Sequence, residues 1–282
     1  MATESTINSA KAWSPDVTAF APADAIPDAL ILSTSTVTGR IEGDEPAVRV
    51  AYVDDAAATF VAEAAVISEA NPALSEVLVH TGKVAQLVRL SREQYGQDRT
   101  AEMLAQSVRR AVTKKANEAY LAQAAPVSPA VTPPAGLVNV TGIESGGAVA
   151  ADLDELVDLI ATLEGNGATP SHILLAPDAW ASLRKFKTAT GSAQSLLGAG
   201  TTDATKSLLD LPVIVTSALT TGSGLVIDNT AVVSAVGDVQ LAVSDQVYFD
   251  SDSIGVRCTF RFGANVVHPD RIGKFTVTDP AA

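Results

Sequence analysis

A single cysteine, Cys258, stands among 282 residues, which excludes a framework of internal disulfides. That usage fits a chain made in a reducing cytoplasm. Within "VRCTFRF" the thiol reads as a small hydrophobe on a strand. Aromatic residues are only 5% of the chain against 47% apolar residues, so the core must rest on Val, Leu, Ile and Ala. No window of eighteen apolar residues occurs, and the first twenty residues lack the apolar run of a signal peptide. Neither a membrane span nor a membrane partner is expected.

Signatures of catalysis are missing as well. Both Gly-Lys pairs, Gly82-Lys83 and Gly273-Lys274, continue into Val or Phe, so no phosphate-cradling P-loop exists. There is no GxSxG elbow. "TGSGL" (221–225) lacks the third glycine of a dinucleotide fingerprint and reads as a hairpin turn. "DSDSIG" (250–255) opens like a calcium loop, but Arg261 stands where a bidentate Glu is required. His80, His172 and His268 are far apart and lack partners at metal-ligand spacing. Asp152, Asp154, Glu155 and Asp158 are the acids a helix start attracts through its dipole. No catalytic residue, cofactor or metal is expected.

What is present is acid, unevenly spread. Net charge is −13; residues 1–79 hold twelve acidic and three basic side chains, whereas residues 80–124 hold eight basic and four acidic. An acidic chain with one mildly basic segment binds nucleic acid only weakly and non-specifically.

At this length, two lobes or one lobe with extensions are expected. Residues 1–28, punctuated by Pro15, Pro22 and Pro27, read as an extended arm. "ALILSTSTV" (29–37), "AVRVAYV" (47–53) and "KVAQLVRLS" (83–91) read as strands. Between the last two lies a long stretch (54–80) in which Phe60, Ala62 and Ala64 alternate with other residues, as do Val77 and Val79. A two-stranded ribbon folded at Asn71-Pro72 suits that pattern. Such a ribbon is marginal alone in water and needs another molecule to lie on.

The spacing predicts one long helix over 97–124, with Ala101, Leu104, Ala105, Val108, Ala111, Val112, Ala119 and Tyr120 on one stripe. Arg109, Arg110, Lys114 and Lys115 crowd its second half, as a solvated face or as one turned toward anionic contents. After a Pro/Gly connection (125–147), Asp152 and Glu155 form a capping-box-like start to a helix that Gly165 ends. "SHILLA", a Pro177 helix and further short apolar strands compose a mixed lobe to about residue 253, followed by two strands around a His-Pro-Asp turn.

The order of these stretches resembles the major capsid proteins of tailed bacteriophages, those with the HK97 fold. "FVAEAAVISEANPALSEVLVHTGKVAQLVRLSREQ" (60–94) is similar to that family's extended loop and first peripheral strand, and "SVRRAVTKKANEAYLAQ" to its spine helix. "PPAGLVNVTG", "HILLAPDAWASLRKFKTATG", "LLDLPVIVTSAL" and the closing run from Val239 to Val277 complete a resemblance over 29–278. Asp210 of "LLDLPV" stands where a glycine is common in relatives.

The resemblance implies an α+β, HK97-type fold: an N-terminal arm (1–28), strands (29–53), an extended loop or β-ribbon (54–80), a peripheral domain (81–134 and 254–278) with its long spine helix, and a mixed α/β axial domain (135–253). It implies a structural protein that assembles with copies of itself into hexamers and pentamers of an icosahedral shell around double-stranded DNA. The shell forms in the host bacterial cytoplasm, with scaffold, portal and decoration proteins as further partners. Phe60, Val66, Ile67, Leu74 and Val77 are the expected inter-subunit contacts, and Arg109, Arg110, Lys114 and Lys115 the expected inner-surface cations. Residues 54–80 contain no lysine, so the isopeptide cross-link of some relatives is not expected. The short stretch ahead of the arm implies a separate scaffold or none. An encapsulin-like compartment, a hydrolase or isopeptide-forming enzyme, and a monomeric binding module are the competing readings.

Overall fold

The computed structural model describes residues 17–54, 60–61, 73–97, 100–188, 192, 194–197 and 206–279. It opens with β1 (Val17–Phe20), the one-turn α1 (Pro22–Ala25), α2 (Leu30–Thr34), β2 (Thr36–Arg40), β3 (Ala47–Asp54) and β4 (Ala73–His80). Next come β5 (Gly82–Ser91), α3 (Arg92–Tyr95) and α4 (Thr100–Ala122). The second half holds β6 (Glu144–Val149), α5 (Asp154–Gly165), β7 (His172–Leu175), α6 (Pro177–Lys185), β8 (Ser207–Leu208), β9 (Leu211–Val215) and β10 (Ser223–Ile227). β11 (Val232–Val236), β12 (Val239–Tyr248), β13 (Ser253–Val266) and β14 (Gly273–Val277) close the chain.

The first sheet is organised by β13. One side pairs with β11 and β12 in succession, and the other pairs with all ten residues of β5, Gly82 opposite Phe262 and Ser91 opposite Ser253. β2 and β1 flank β11 and β12. α4 packs across this sheet. Val108, Val112, Ala116 and Tyr120 recur every four residues on one face and are buried, together with Leu121. The helix therefore matches the periodicity, although its described span is Thr100–Ala122, and Ala116 joins the stripe in place of the exposed Ala105.

The second sheet runs β6-β14-β10-β7-β9-β8, with α5 and α6 against it. It divides the chain differently from a linear reading. β14 follows the His-Pro-Asp turn but crosses into the second sheet, whereas β11 and β12 join the first. Thr220 to Ser223 form a turn, but β7 separates β9 from β10, so no hairpin forms there. One apolar core, from Ile26 to Val277, runs beneath both sheets.

Four other local expectations change. Leu30–Thr34 is helical rather than a strand: Asn117 Oδ1 accepts from Leu30 N (2.8 Å), and Thr34 Oγ1 donates to Leu30 O (2.8 Å). Leu30, Ile31 and Thr34 are buried there. The arm meets its own chain, because Val17–Phe20 pairs with β12 and Ile26 is buried. Leu153, not Asp152, precedes the first turn of α5; Asp152 Oδ1 only accepts from Asp154 N (3.3 Å), so no capping box forms. The ribbon is β3 against β4, with Asp54 opposite Ala73. That register makes 47–54 the partner of 73–80; the expected fold at Asn71-Pro72 and residues 62–64 lie outside the described residues.

Candidate assembly surfaces

Among the described residues, the ribbon is packed near its root. Val50 and Val79 are buried with Ile41, Val233 and Ala235 in a cluster of five, against which Val48, Val77 and Val267 pack. Asn265 Nδ2 donates to Leu78 O (3.0 Å), and the Tyr52 ring meets the His268 ring edge-on at 6.4 Å. β4 passes into β5 through Thr81 alone, and the crossing over β13 depends on Gly263, where a Cβ would lie on the His80 carbonyl. Eight residues at about 3.3 Å each carry the paired ribbon about 25 Å from root to end.

Of the expected inter-subunit contacts, Phe60 is fully exposed, and its neighbour Val61 is also exposed. Val77 is half-buried against the root cluster of its own chain. Leu74 sits in β4 opposite Val53. Val66 and Ile67 lie outside the described residues. Further apolar side chains stand in solvent at Leu87 and Val247 on the first sheet, at Phe249 in the turn that follows β12, and at Met103 on α4.

Arg109, Arg110, Lys114 and Lys115 are all exposed on α4. Lys114 and Lys115 lie 4.0 and 3.7 Å from Glu118, and Arg109 reaches the Asp24 carbonyl at 3.4 Å. Arg109, Arg110 and Lys114 also line a shallow groove of about 370 Å³ with Asp28 and Thr216. These four cations were legible in the sequence; a second set was not. Alternation along β5 puts Lys83, Leu87 and Arg89 on its exposed face, and the register sets Arg261 opposite Lys83 and Arg257 opposite Leu87. Only the pairing of distant strands reveals that these basic residues share one surface. At one end of this face a polar cleft of about 370 Å³ is lined by Arg40, Lys83, Arg261, Asp44 and Asp238. There Arg261 pairs with Asp44 (2.7 Å) and Arg40 with Asp238 (3.4 Å).

Nothing among the described residues converges as a reaction centre. No three His, Cys, Asp or Glu side chains are placed to hold a metal. His172 Nδ1 meets only the neighbouring Ser171 Oγ (3.2 Å), and Asp178 accepts from Gly222 N, a bond that joins α6 to the turn before β10. Buried Asp228 accepts from Thr169 N and Thr230 N (2.9 Å each) and ties two loops together. Burial raises the Tyr120 phenol well above its ordinary range and pushes the Cys258 thiol up. Tyr120 lines a cavity of about 210 Å³ that Lys83 and Lys115 also line, but its hydroxyl is engaged by Thr34.

Residues 29–277 match the model of the phage capsid family. No curated protein matches. Among solved structures, a chain of Gordonia phage Cozz superposes with a TM-score of 0.69 at 15% identity, covering 89% of this chain and 86% of that one. A chain from the capsid of a native GTA particle gives 0.65 at 16% identity, covering 89% and 90%. A chain of Microbacterium phage Oxtober96 gives 0.65 at 14% identity, covering 99% and 96%. The fold is the HK97-like capsid fold. The chain belongs to the phage capsid family, and is a structural, shell-forming major capsid protein of the virion.

Proposed function

We propose that this protein assembles into hexamers and pentamers that close as an icosahedral shell around phage double-stranded DNA, and that the β3–β4 ribbon and the loop it carries are its principal assembly element. The observation that carries this reading is a paired ribbon about 25 Å long, packed by five buried residues at its root and leading to a fully exposed Phe60. A ribbon so exposed lacks the apolar cover that a stable two-stranded structure needs, and a neighbouring copy supplies it. Each few hundred Å² of apolar surface covered is worth several kcal/mol before ordering costs, at about 25 cal/mol per Å². Closed rings multiply such modest contacts.

In this reading the first sheet with α4 is the peripheral part and the second sheet the axial part. The exposed cations of α4 line the inner wall, and the acidity of the whole keeps contact with packaged DNA weak. Assembly proceeds in the host bacterial cytoplasm, with scaffold, portal and decoration proteins as further partners. Residues 54–80 lack lysine, so the shell is held without a loop-lysine isopeptide bond.

The test replaces residues 55–72 by Asn-Gly, a two-residue turn that suits the Asp54–Ala73 register. The expected result is a folded chain that no longer forms particles by light scattering and negative-stain microscopy. Normal shells from that variant would remove the loop from the assembly mechanism.

A further inference from the structure

Small side chains leave a gap where α4, the β5–β13 pair and the connection to β6 meet. Gly82 of β5, Ala119 of α4 and Ala264 of β13 line a cavity of about 210 Å³, with Val84 and Phe262 as further apolar wall. Phe262 is held by stacking on Phe260 at 5.2 Å, and a Cβ on Gly82 would come no nearer than 3.5 Å to Pro134. Neither therefore closes the space. Pro133 and Pro134 form the remaining side. The stretch after them is pinned to the end of α4, where Gln123 O accepts from Gly136 N and from Asn139 Nδ2 (2.8 Å each).

The charges around this cavity are few and of one sign. Lys83 and Lys115 line it, and no carboxylate among the described residues does. Lys114 and Lys115 share Glu118, at 4.0 and 3.7 Å, so one carboxylate answers two ammonium groups.

We propose that this cavity binds a small carboxylate carrying one aromatic ring, with the ring among the apolar walls and the carboxylate at Lys115. The assignment stands apart from the ribbon and from assembly, and concerns the single subunit. Size selects the apolar part: an apolar cavity of about 150 Å³ takes one benzene ring, so this one takes a ring with a short tether. Charge selects the head group. A cationic head would meet two lysines, and a hydrated inorganic anion has no apolar part to offset its desolvation against these walls. A bound ligand touches α4, the first sheet and the connection at once, so it stabilises the folded subunit by mass action.

The probe is phenylpropionate, with phenylpropanol as its neutral match, each titrated into the full-length protein by calorimetry. The expected result is saturable binding of one carboxylate per chain with Kd on the order of 1 mM or tighter, weaker binding of the alcohol, and a Tm that rises with carboxylate concentration. Ala119→Leu and Ala264→Leu fill the cavity and are expected to weaken binding of both compounds at least about tenfold. Lys115→Gln, at an exposed side chain, is expected to weaken the carboxylate about twofold to fivefold and leave the alcohol unchanged. No saturable binding by the unsubstituted chain overturns the proposal. So does full affinity in the leucine variants, which would put the ligand elsewhere. Equal affinity for acid and alcohol refutes the anionic class. If neither leucine variant folds by circular dichroism, the site is read from nuclear Overhauser contacts between the ligand ring and the Val84 methyls of unassembled chains, and their absence refutes it.

Discussion

Gly263→Ala isolates the joint on which the ribbon turns. A Cβ at that position would overlap the His80 carbonyl oxygen and press against Val79 Cγ1. Both neighbours are constrained: Val79 is buried in the root cluster, and Gly82, two residues on, is already paired with Phe262. The clash is with backbone, so relief requires lifting the β4–β5 junction off β13. Overpacking of this kind costs about 1–3 kcal/mol, with the upper end expected where no side chain can rotate away. In a chain of this size that corresponds to a fall in Tm of about 6–12 °C for 3 kcal/mol. Gly165→Ala is the matched control. No heavy atom lies within 4 Å of its added Cβ, and it closes helix α5, where alanine gains up to about 1 kcal/mol over glycine. The same chemical change should thus lower stability at one site and hold or raise it at the other, as read by urea titration of unassembled chains. A Gly263→Ala protein with wild-type stability would refute the claim that this crossing is sterically fixed.

Other expectations follow from the core. Leu121, fully buried where α4 meets the connection to β6, should lose about 2–5 kcal/mol on truncation to Ala, measurable as a lower urea midpoint. Burial holds the Tyr120 phenol protonated in the folded state above its ordinary value of about 10. The unfolded chain therefore releases that proton first, and stability present below pH of about 10 should fall as pH rises further. Tyr120→Phe should flatten that alkaline loss, while giving up roughly 0.5–1.5 kcal/mol at neutral pH for the lost bonds to Thr34.

How far the sequence announced this architecture depends on where each element's partners lie. α4 was legible because its stripe is local, repeating every four residues. The strands at 47–54 and 82–91 were legible by alternation. The stretch "LILST" was not, because apolar and β-branched residues favour a strand locally, and what makes it helical is Asn117 and Tyr120 on an element 80 or more residues away. The two sheets could not be sorted by eye either. β11 and β14 are both short and largely buried, and only hydrogen-bond register assigns one to each sheet. Nor was it legible that the partner of 73–80 is the strand at 47–54. Leu209 and Asp210, both at positive φ, form the two-residue link of the β8–β9 hairpin, a strained use of Leu that no turn propensity suggests. Among the assembly residues, Phe60 and the α4 cations stood out as single residues, whereas the basic face of β5 and β13 exists only once distant strands are joined.

The passage of β4 into β5 through Thr81 also sets how the shell carries mechanical load. A neighbour that grips the loop and is pushed outward by the contents pulls along the axis of the ribbon, and that pull enters β5 lengthwise. β5 is antiparallel to β13 over ten consecutive pairs, so the force must shear all of them together instead of unzipping them one at a time. The joint therefore resists tension along the ribbon and yields more readily to peeling. A particle built this way should tolerate swelling better than local prying at the edge of a single subunit.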